Sequence, residues 1–326
     1  RSRTNLDFAT TLAPGGRIGL SVLTTQIRAL PKGAGRPLAA INGDFHRIRD
    51  DDFGGDPRGL QIRFGELVSA PVEKTCFWIT PAGVPRIDDV EPDFYVLWPG
   101  GEKTRFELNE ERSGNEVVLY TTAMGDTTGT RGGTDVILES PDAGQPLILR
   151  AGEGIPAKVR EVRRGGNSPI QDGTLVLSMG GYSQSRSPVK PAVGDRVTIS
   201  TMAQPDLKGV RTAIGGGPVI VRDSKVVPTH VFKGNERHPR SAVGWNKTDV
   251  LFIVVDGRQR DSVGMTLREL AEVLVRLKCE EAMNLDGGGS TEIWMGGRIL
   301  NSPCYGRERP TANGLVVVEK AKDEKQ

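Results

Sequence analysis

The sequence predicts an α+β fold: β-rich mixed sheets with a C-terminal strand–helix–strand unit, built as a single large domain. Three observations predict it. Glycine and proline number 42 and 21 among 326 residues, well above their usual joint share of about 12%, so the chain is cut into many short elements. Between 72 and 222, apolar runs follow one another with Gly, Pro or Asp between them, and none has convincing helical periodicity. The last third instead sets a continuous apolar run, an amphipathic helix and a second apolar run in succession. A hydrophobic fraction of 37%, a charged fraction of 26% and a mean hydropathy of −0.33 fit a globular chain with a proper core.

Taken in order, residues 17–30 alternate through Ile18, Leu20, Val22, Leu23 and Ile27, which predicts one or two strands. Residues 1–37 are accordingly N-terminal strands, and the main domain runs from 38 to 320. LAAING (38–43) is a short buried strand entering a Gly turn, and 59–71 is a hairpin turning at Phe64-Gly65-Glu66. The region 72–205 is β-rich and could form a subdomain. Its strands include TCFWIT, DFYVLW, EVVLYTT, TDVILES, PLILR, KVREV, GTLVLS and DRVTIS, with GPVIVR just beyond.

DVLFIVVD (249–256) is a run typical of a strand buried on both faces. In 264–279, Thr266 and Glu269 form a capping box. Leu267, Leu270, Ala271, Leu274 and Leu277 then recur at three- and four-residue steps along one helical face. EAMNLD (281–286) is a further strand, 291–300 is a hairpin with a Gly-Gly turn, and 321–326 is a charged tail.

Several function classes lose support. Net charge is +2, from 43 basic and 41 acidic residues interspersed along the chain, so nothing favours nucleic acid as a partner. The longest apolar run, 251–255, is far too short to span a membrane. Cys76, Cys279 and Cys304 are odd in number and widely spaced, which argues against a disulfide framework or zinc ribbon, though one pair could bridge. No HExxH helix, GxSxG elbow, Walker loop or helix-opening GxGxxG is present. Asp50, Asp51, Asp52 and Asp56 suggest a calcium loop, but Gly54 and Gln61 stand at its fifth and twelfth positions. The sequence requires no cofactor and leaves the question of a divalent metal open.

The strand–helix–strand reading places two carboxylates together. Asp256 and Asp286 end the two strands, and in an open α/β sheet ligands bind at the carboxyl ends. On adjacent strands these carboxylates would stand about 5–10 Å apart, the range used in glycoside hydrolysis. Asp-Gly also simply ends strands and begins turns, and both readings stand on spacing alone. Gly287, Gly288 and Gly289 would admit a ligand to the backbone, with Ser290 adding a hydroxyl, and Gly216-Gly217 is a second such stretch. Arg240 and Arg258 flank the buried strand and suit carboxylate or phosphate oxygens, or serve structure. Arg307-Glu308-Arg309 is a weaker instance. Asn42 and Asp44 could hold sugar hydroxyls or shape an Asx turn, and His46 is a lone imidazole two residues on.

AINGDF (40–45), IGGGPVIVRDSKVV (214–227), HPRSAVG (238–244), VDGRQ…GMTL…ELA…NLDGGGSTEIW (255–294) and NSPCYGRERPTANGLVVV (301–318) occur in order and together resemble the phosphodiester glycosidase family. The resemblance runs from about 38 to 318 and is strongest from 214 onward. It implies a glycoside hydrolase acting on a glycosyl-1-phosphodiester, such as one of N-acetylglucosamine, or on a related α-glycoside. Asp286 and Asp256 would share the acid and the base or nucleophile roles. Arg240 and Arg258 would bind phosphate with help from Gly216, Gly217, Gly287 and Gly288, while Asn42, Asp44 and Ser290 would hold the sugar. Asp44 and His46 depart from the small and aromatic residues usual in the family, and Glu292 matches no fixed carboxylate. A chain opening on Arg1 reads as a mature form without its signal peptide, and the resemblance implies a bacterial-type secreted or periplasmic relative. The alternatives are cleavage of a non-phosphorylated glycan linkage, by hydrolysis or elimination, and a non-catalytic carbohydrate-binding protein of the cell envelope.

Overall fold

The computed structural model describes residues 5–48, 53–228 and 236–320. The start of the acidic loop, 49–52 with Asp50, Asp51 and Asp52, and the tail 321–326 lie outside the described residues. Four sheets make up the fold, with three short α-helices among the described residues. This is the β-rich α+β class that the short, punctuated runs predict.

The first sheet joins the two ends of the chain. Its strand order is Leu6–Thr10, Gly314–Glu319, Arg36–Asn42, Ile293–Met295 and Arg298–Ile299, all antiparallel. The predicted strands in 17–30 are instead a loop and the helix Leu23–Arg28. Leu23 and Ile27, four residues apart, point down one helical face into the cluster of Ala9, Ala40, Trp294 and Val316. The alternation of Ile18, Leu20 and Val22 concealed that pair.

The middle of the chain forms an eight-stranded sheet around the largest apolar cluster, antiparallel except where Glu107–Leu108 runs parallel to Val117–Tyr120. PLILR (146–150) is extended but outside any sheet. Leu147 N–H donates to Gly173 and Leu149 C=O accepts from Leu67, two different neighbours, so no ladder forms. A six-residue helix, Gly181–Arg186, also occurs where none was expected; it buries no residue and so left no periodicity to read.

A third sheet carries the predicted hairpin, Gln61–Arg63 with Glu66–Ser69, beside Thr212–Gly215, Thr75–Ile79 and Pro85–Asp89. Phe64 and Gly65 make the turn at φ 53° and 90°.

The fourth sheet positions the site. Its order is Lys225–Val226, Val219–Arg222, Glu281–Leu285, Arg240–Trp245 and Val250–Val255. Helix Leu267–Arg276 covers one face, with Leu270, Ala271 and Leu274 against Ile220, Val221, Ala242 and Ala282. Its Thr266–Glu269 capping box is formed. On the other face Val243, Met283 and Leu285 meet Ile41, Phe77, Ile214 and Leu315 of the first and third sheets. Val250–Val255 differs from expectation. It is an edge strand, half-buried along its length, because each face meets an apolar cluster while one side has no neighbouring strand. Glu281–Leu285 and Val250–Val255 are parallel to each other but not adjacent; Arg240–Trp245 runs antiparallel between them.

Candidate active site

Asp286 follows the Glu281–Leu285 strand, and the neighbouring sheet fixes its backbone. Its N–H donates to Gly43 O (2.9 Å) and its carbonyl accepts from Asn42 Nδ2 (2.7 Å). Asn42 Oδ1 accepts in turn from Ser241 Oγ (2.7 Å) and Glu292 N–H (3.0 Å). One buried amide thus ties three chain segments together. Asn42 is fully buried, and this commitment leaves no surface for a sugar hydroxyl.

The Asp286 side chain faces a cleft of about 540 Å³ that His46, Arg58, Glu73, Lys74 and Arg309 also line, with Phe45, Pro218 and Leu267 as apolar walls. His46 Nδ1 lies 3.8 Å from Asp286 Oδ2. Burial raises the Asp286 carboxyl, opposed by the Ser290 hydroxyl, His46 and Arg309. Burial lowers His46, opposed by the Asp286 charge and reinforced by Arg309. The two groups therefore titrate as one unit. Ser290 Oγ lies beside the carboxylate and acts on it electrostatically, although it makes no hydrogen bond of ordinary geometry.

The cleft cations differ. Arg58 pairs with Glu73 (3.2 Å) and Lys74 pairs with Glu91. Among the described residues the Arg309 guanidinium has no ion pair, so it is the cation free to meet an anion.

Two further acids lie behind the cleft. Asp44 is 1% exposed, with Oδ2 accepting from Gly59 N–H (2.6 Å) and Oδ1 unpartnered. Burial pushes it up to about 8, with the charges of Glu73 and Asp286 adding to the rise. Glu292 is fully buried, and its Oε1 accepts from Arg309 N–H (2.7 Å). Asp56, from the acidic loop, is buried beside Glu110, and burial with that neighbour pushes it up to about 9.

The remaining expected residues lie elsewhere. The Asp256 carboxylate accepts from Asn301 Nδ2 (3.0 Å) and Ser302 N–H (3.0 and 3.1 Å), and does not line the cleft. Its strand is two inter-strand spacings from that of Asp286, roughly 9–10 Å at the backbone. Arg240 donates to Met265 O (2.9 Å) and Glu236 O (3.0 Å), and Arg258 meets His238 Nδ1 at 3.3 Å. Neither arginine lines the cleft. Gly216 and Gly217 do, but their N–H groups donate to Thr75 O (3.2 Å) and Asn284 O (2.7 Å), so they form no anion nest. Gly216 is there for space: a Cβ would stand 2.8 Å from Asn284 O. Gly287 and Gly288 lie outside the cleft lining, with Gly288 N–H donating to Pro239 O (2.9 Å).

The structure brings Asp286 together with His46 and Arg309, two residues that carried little weight in the sequence. No local signal joins them, since they lie on separate loops far from residue 286. No group of three or more His, Cys, Asp or Glu among the described residues could hold a metal ion. Cys76, Cys279 and Cys304 are all free. No helix among the described residues is long and apolar enough to cross a membrane.

Comparison with known proteins places this architecture. A family model for phosphodiester glycosidase matches residues 144–318. The SPbeta prophage-derived uncharacterized protein YomE of Bacillus subtilis strain 168 is 32% identical over 114 residues, which are 34% of this chain and 18% of that protein. The chain therefore spans less than a fifth of that relative's length. A hypothetical protein from Synechocystis superposes with a TM-score of 0.74 at 19% identity, over 97% of this chain and 57% of that one. A putative exported protein from Burkholderia pseudomallei K96243 gives 0.68 at 18% identity, over 97% and 72%. At such identities the two structures speak for the fold alone. The family model covers more than half of the chain, including Asp286, Glu292 and Arg309, and the chain belongs to the phosphodiester glycosidase family.

Proposed function

We propose that this chain hydrolyses the sugar–oxygen bond of a glycosyl-1-phosphodiester in the cleft at Asp286. The observation that carries the reading is the meeting of three groups in that cleft: the Asp286 carboxylate, His46 at 3.8 Å, and a guanidinium, Arg309, with no ion pair among the described residues. Breaking a glycosidic bond develops positive charge at the anomeric carbon and negative charge on the departing oxygen. Ionised Asp286 supports the first, either by direct attack or by drawing a proton from water. Arg309 supports the second through the phosphate oxygens.

A phosphodiester is a weak base, so protonating it gains less than protonating an alkoxide would. The group facing the anomeric carbon therefore matters more than the acid. His46, 3.8 Å from Asp286, takes the second acid–base role. Asp256, the partner expected from strand geometry, instead holds the 301–302 segment, and Arg240 holds the backbone at Met265. Both act on the site through those segments.

The test is a turnover screen on glycosyl phosphodiesters and neutral aryl glycosides, with Asp286→Asn and Arg309→Ala beside the wild type. Asp286→Asn is expected to lower kcat by about 10²–10⁴-fold with the fold intact. Arg309→Ala is expected to raise KM for the phosphodiesters alone. Near wild-type turnover by Asp286→Asn would sink the assignment. Equal loss on both substrate classes would point to a non-phosphorylated linkage, and glycan binding without turnover to a carbohydrate-binding protein.

A further inference from the structure

Glu292 is the charged-type residue least expected where it stands. It follows the glycine turn by three residues, is fully buried, and its backbone bonds both ways to Asn42: Asn42 N–H donates to Glu292 O (3.2 Å) and Glu292 N–H donates to Asn42 Oδ1 (3.0 Å). Its carboxyl group reaches the opposite way, where Oε1 accepts from Arg309 N–H (2.7 Å). Oε2 is buried and has no hydrogen-bond partner. The carboxyl group thus connects the Asn42 hub, which fixes Asp286, to the cleft arginine that has no ion pair among the described residues.

We propose that Glu292 is a positioning residue for Arg309: it anchors the Arg309 backbone while leaving the guanidinium uncompensated, and so sets the affinity of the cleft for an anionic substrate. The inference rests on Arg309 being the anion receptor. A buried carboxylate without a cation on Oε2 is costly, and neutral acid is the form such a site favours. Burial pushes Glu292 up to about 8, opposed by the Arg309 N–H and reinforced by the charge of Glu308. Glu308, which accepts from Thr24 N–H (2.9 Å), is the charged group whose field reaches Glu292, and Arg309 meets it through its backbone N–H. Below that range the neutral acid offers Oε1 as a carbonyl to the Arg309 N–H.

The test uses the intact chain with Glu292→Gln and Glu292→Ala. Glutamine reproduces the neutral acid, with its amide oxygen in place of Oε1. Three readouts are taken: hydrogen exchange at the Arg309 amide, KM and kcat on a glycosyl phosphodiester, and affinity for sulfate, whose charge is constant from about pH 7 to 9. Glu292→Ala is expected to speed Arg309 exchange and raise KM, each about ten-fold, with kcat nearly unchanged. Glu292→Gln is expected to keep wild-type exchange, KM and sulfate affinity at neutral pH, while Glu292→Ala weakens sulfate about ten-fold.

The proposal is overturned if glutamine exchanges like alanine, or if alanine leaves both exchange and KM unchanged. A sulfate affinity that alanine leaves unchanged also overturns it. Exchange and sulfate binding need no turnover. An absence of activity would therefore count against the glycosidase reading and leave the Glu292 result to stand or fall separately.

Discussion

At the scale of residues, the site depends on a few polar groups that the protein itself has satisfied. Asn42 is the clearest instance. Its residue type suggested a sugar ligand, yet its amide bonds Asp286 O, Ser241 Oγ and Glu292 N–H. Asn42→Ala leaves those three buried groups without partners, at about 1–3 kcal/mol each at most. Urea unfolding should show a loss of several kcal/mol, together with loss of activity. The pH profile belongs to Asp286. Under the proposed function activity needs its ionised form, and burial raises it, so kcat/KM should fall on acidification at a pH above the ordinary carboxylate range. Arg309 opposes that rise, so Arg309→Ala should move the acid limb further up; a limb that moves down would contradict the arrangement. Asp286 was legible because the NLDGGGS stretch carries the family pattern. His46 and Arg309 were not, because only the docking of separate loops brings them to it.

Elements were legible in proportion to how local their signals are. The capping box of Leu267–Arg276 lies within four residues, and it formed as read. Thr266→Ala should cost about 1 kcal/mol in thermal or urea unfolding, with little change in kcat. The helix Leu23–Arg28 was hidden because six residues give only one i, i+4 apolar pair, too few to outweigh an overlapping alternation. The apolar run 249–256 correctly marked a strand but not its place in the sheet, which depends on where Arg240–Trp245 inserts. That insertion also separates Asp256 from Asp286. At Gly216, alanine would bring Cβ to 2.8 Å from Asn284 O and Met283 Cε. Gly216→Ala should therefore cost roughly 1–3 kcal/mol and distort the cleft wall, seen as lower stability and higher KM together.

For the whole molecule, the sequence conveyed the β-rich class and the C-terminal unit, but not how the third sheet packs with the eight-stranded sheet in one cluster and with the first and fourth in another. The expected N-terminal segment, 1–37, contributes Leu6–Thr10 and the start of Arg36–Asn42 to a sheet completed by the last described strand. Packing of this kind also stores unpaired acids. Burial pushes Asp44 and Glu292 to about 8 and Asp56 to about 9. Each folded value exceeds the unfolded one, so the folded state holds more protons. Their stabilising contribution is complete at pH below the unfolded values and is lost as pH rises through the folded values. The melting temperature should decline from about pH 5 to pH 9, and Asp44→Asn should flatten the decline; a profile rising across that range would contradict it.

The strand Gly314–Glu319 lies between Leu6–Thr10 and Arg36–Asn42. Both early strands thus leave the ribosome with the edge they need still unsynthesised, and their pairings span nearly the whole chain. The Asn42 clamp on Asp286 is carried by a strand whose partner, Gly314–Glu319, is completed only at residue 319. A nascent chain stalled before then should carry every residue of the cleft and still have no working site. Synthesis of Gly314–Glu319, rather than of Asp286, should mark when the cleft becomes competent.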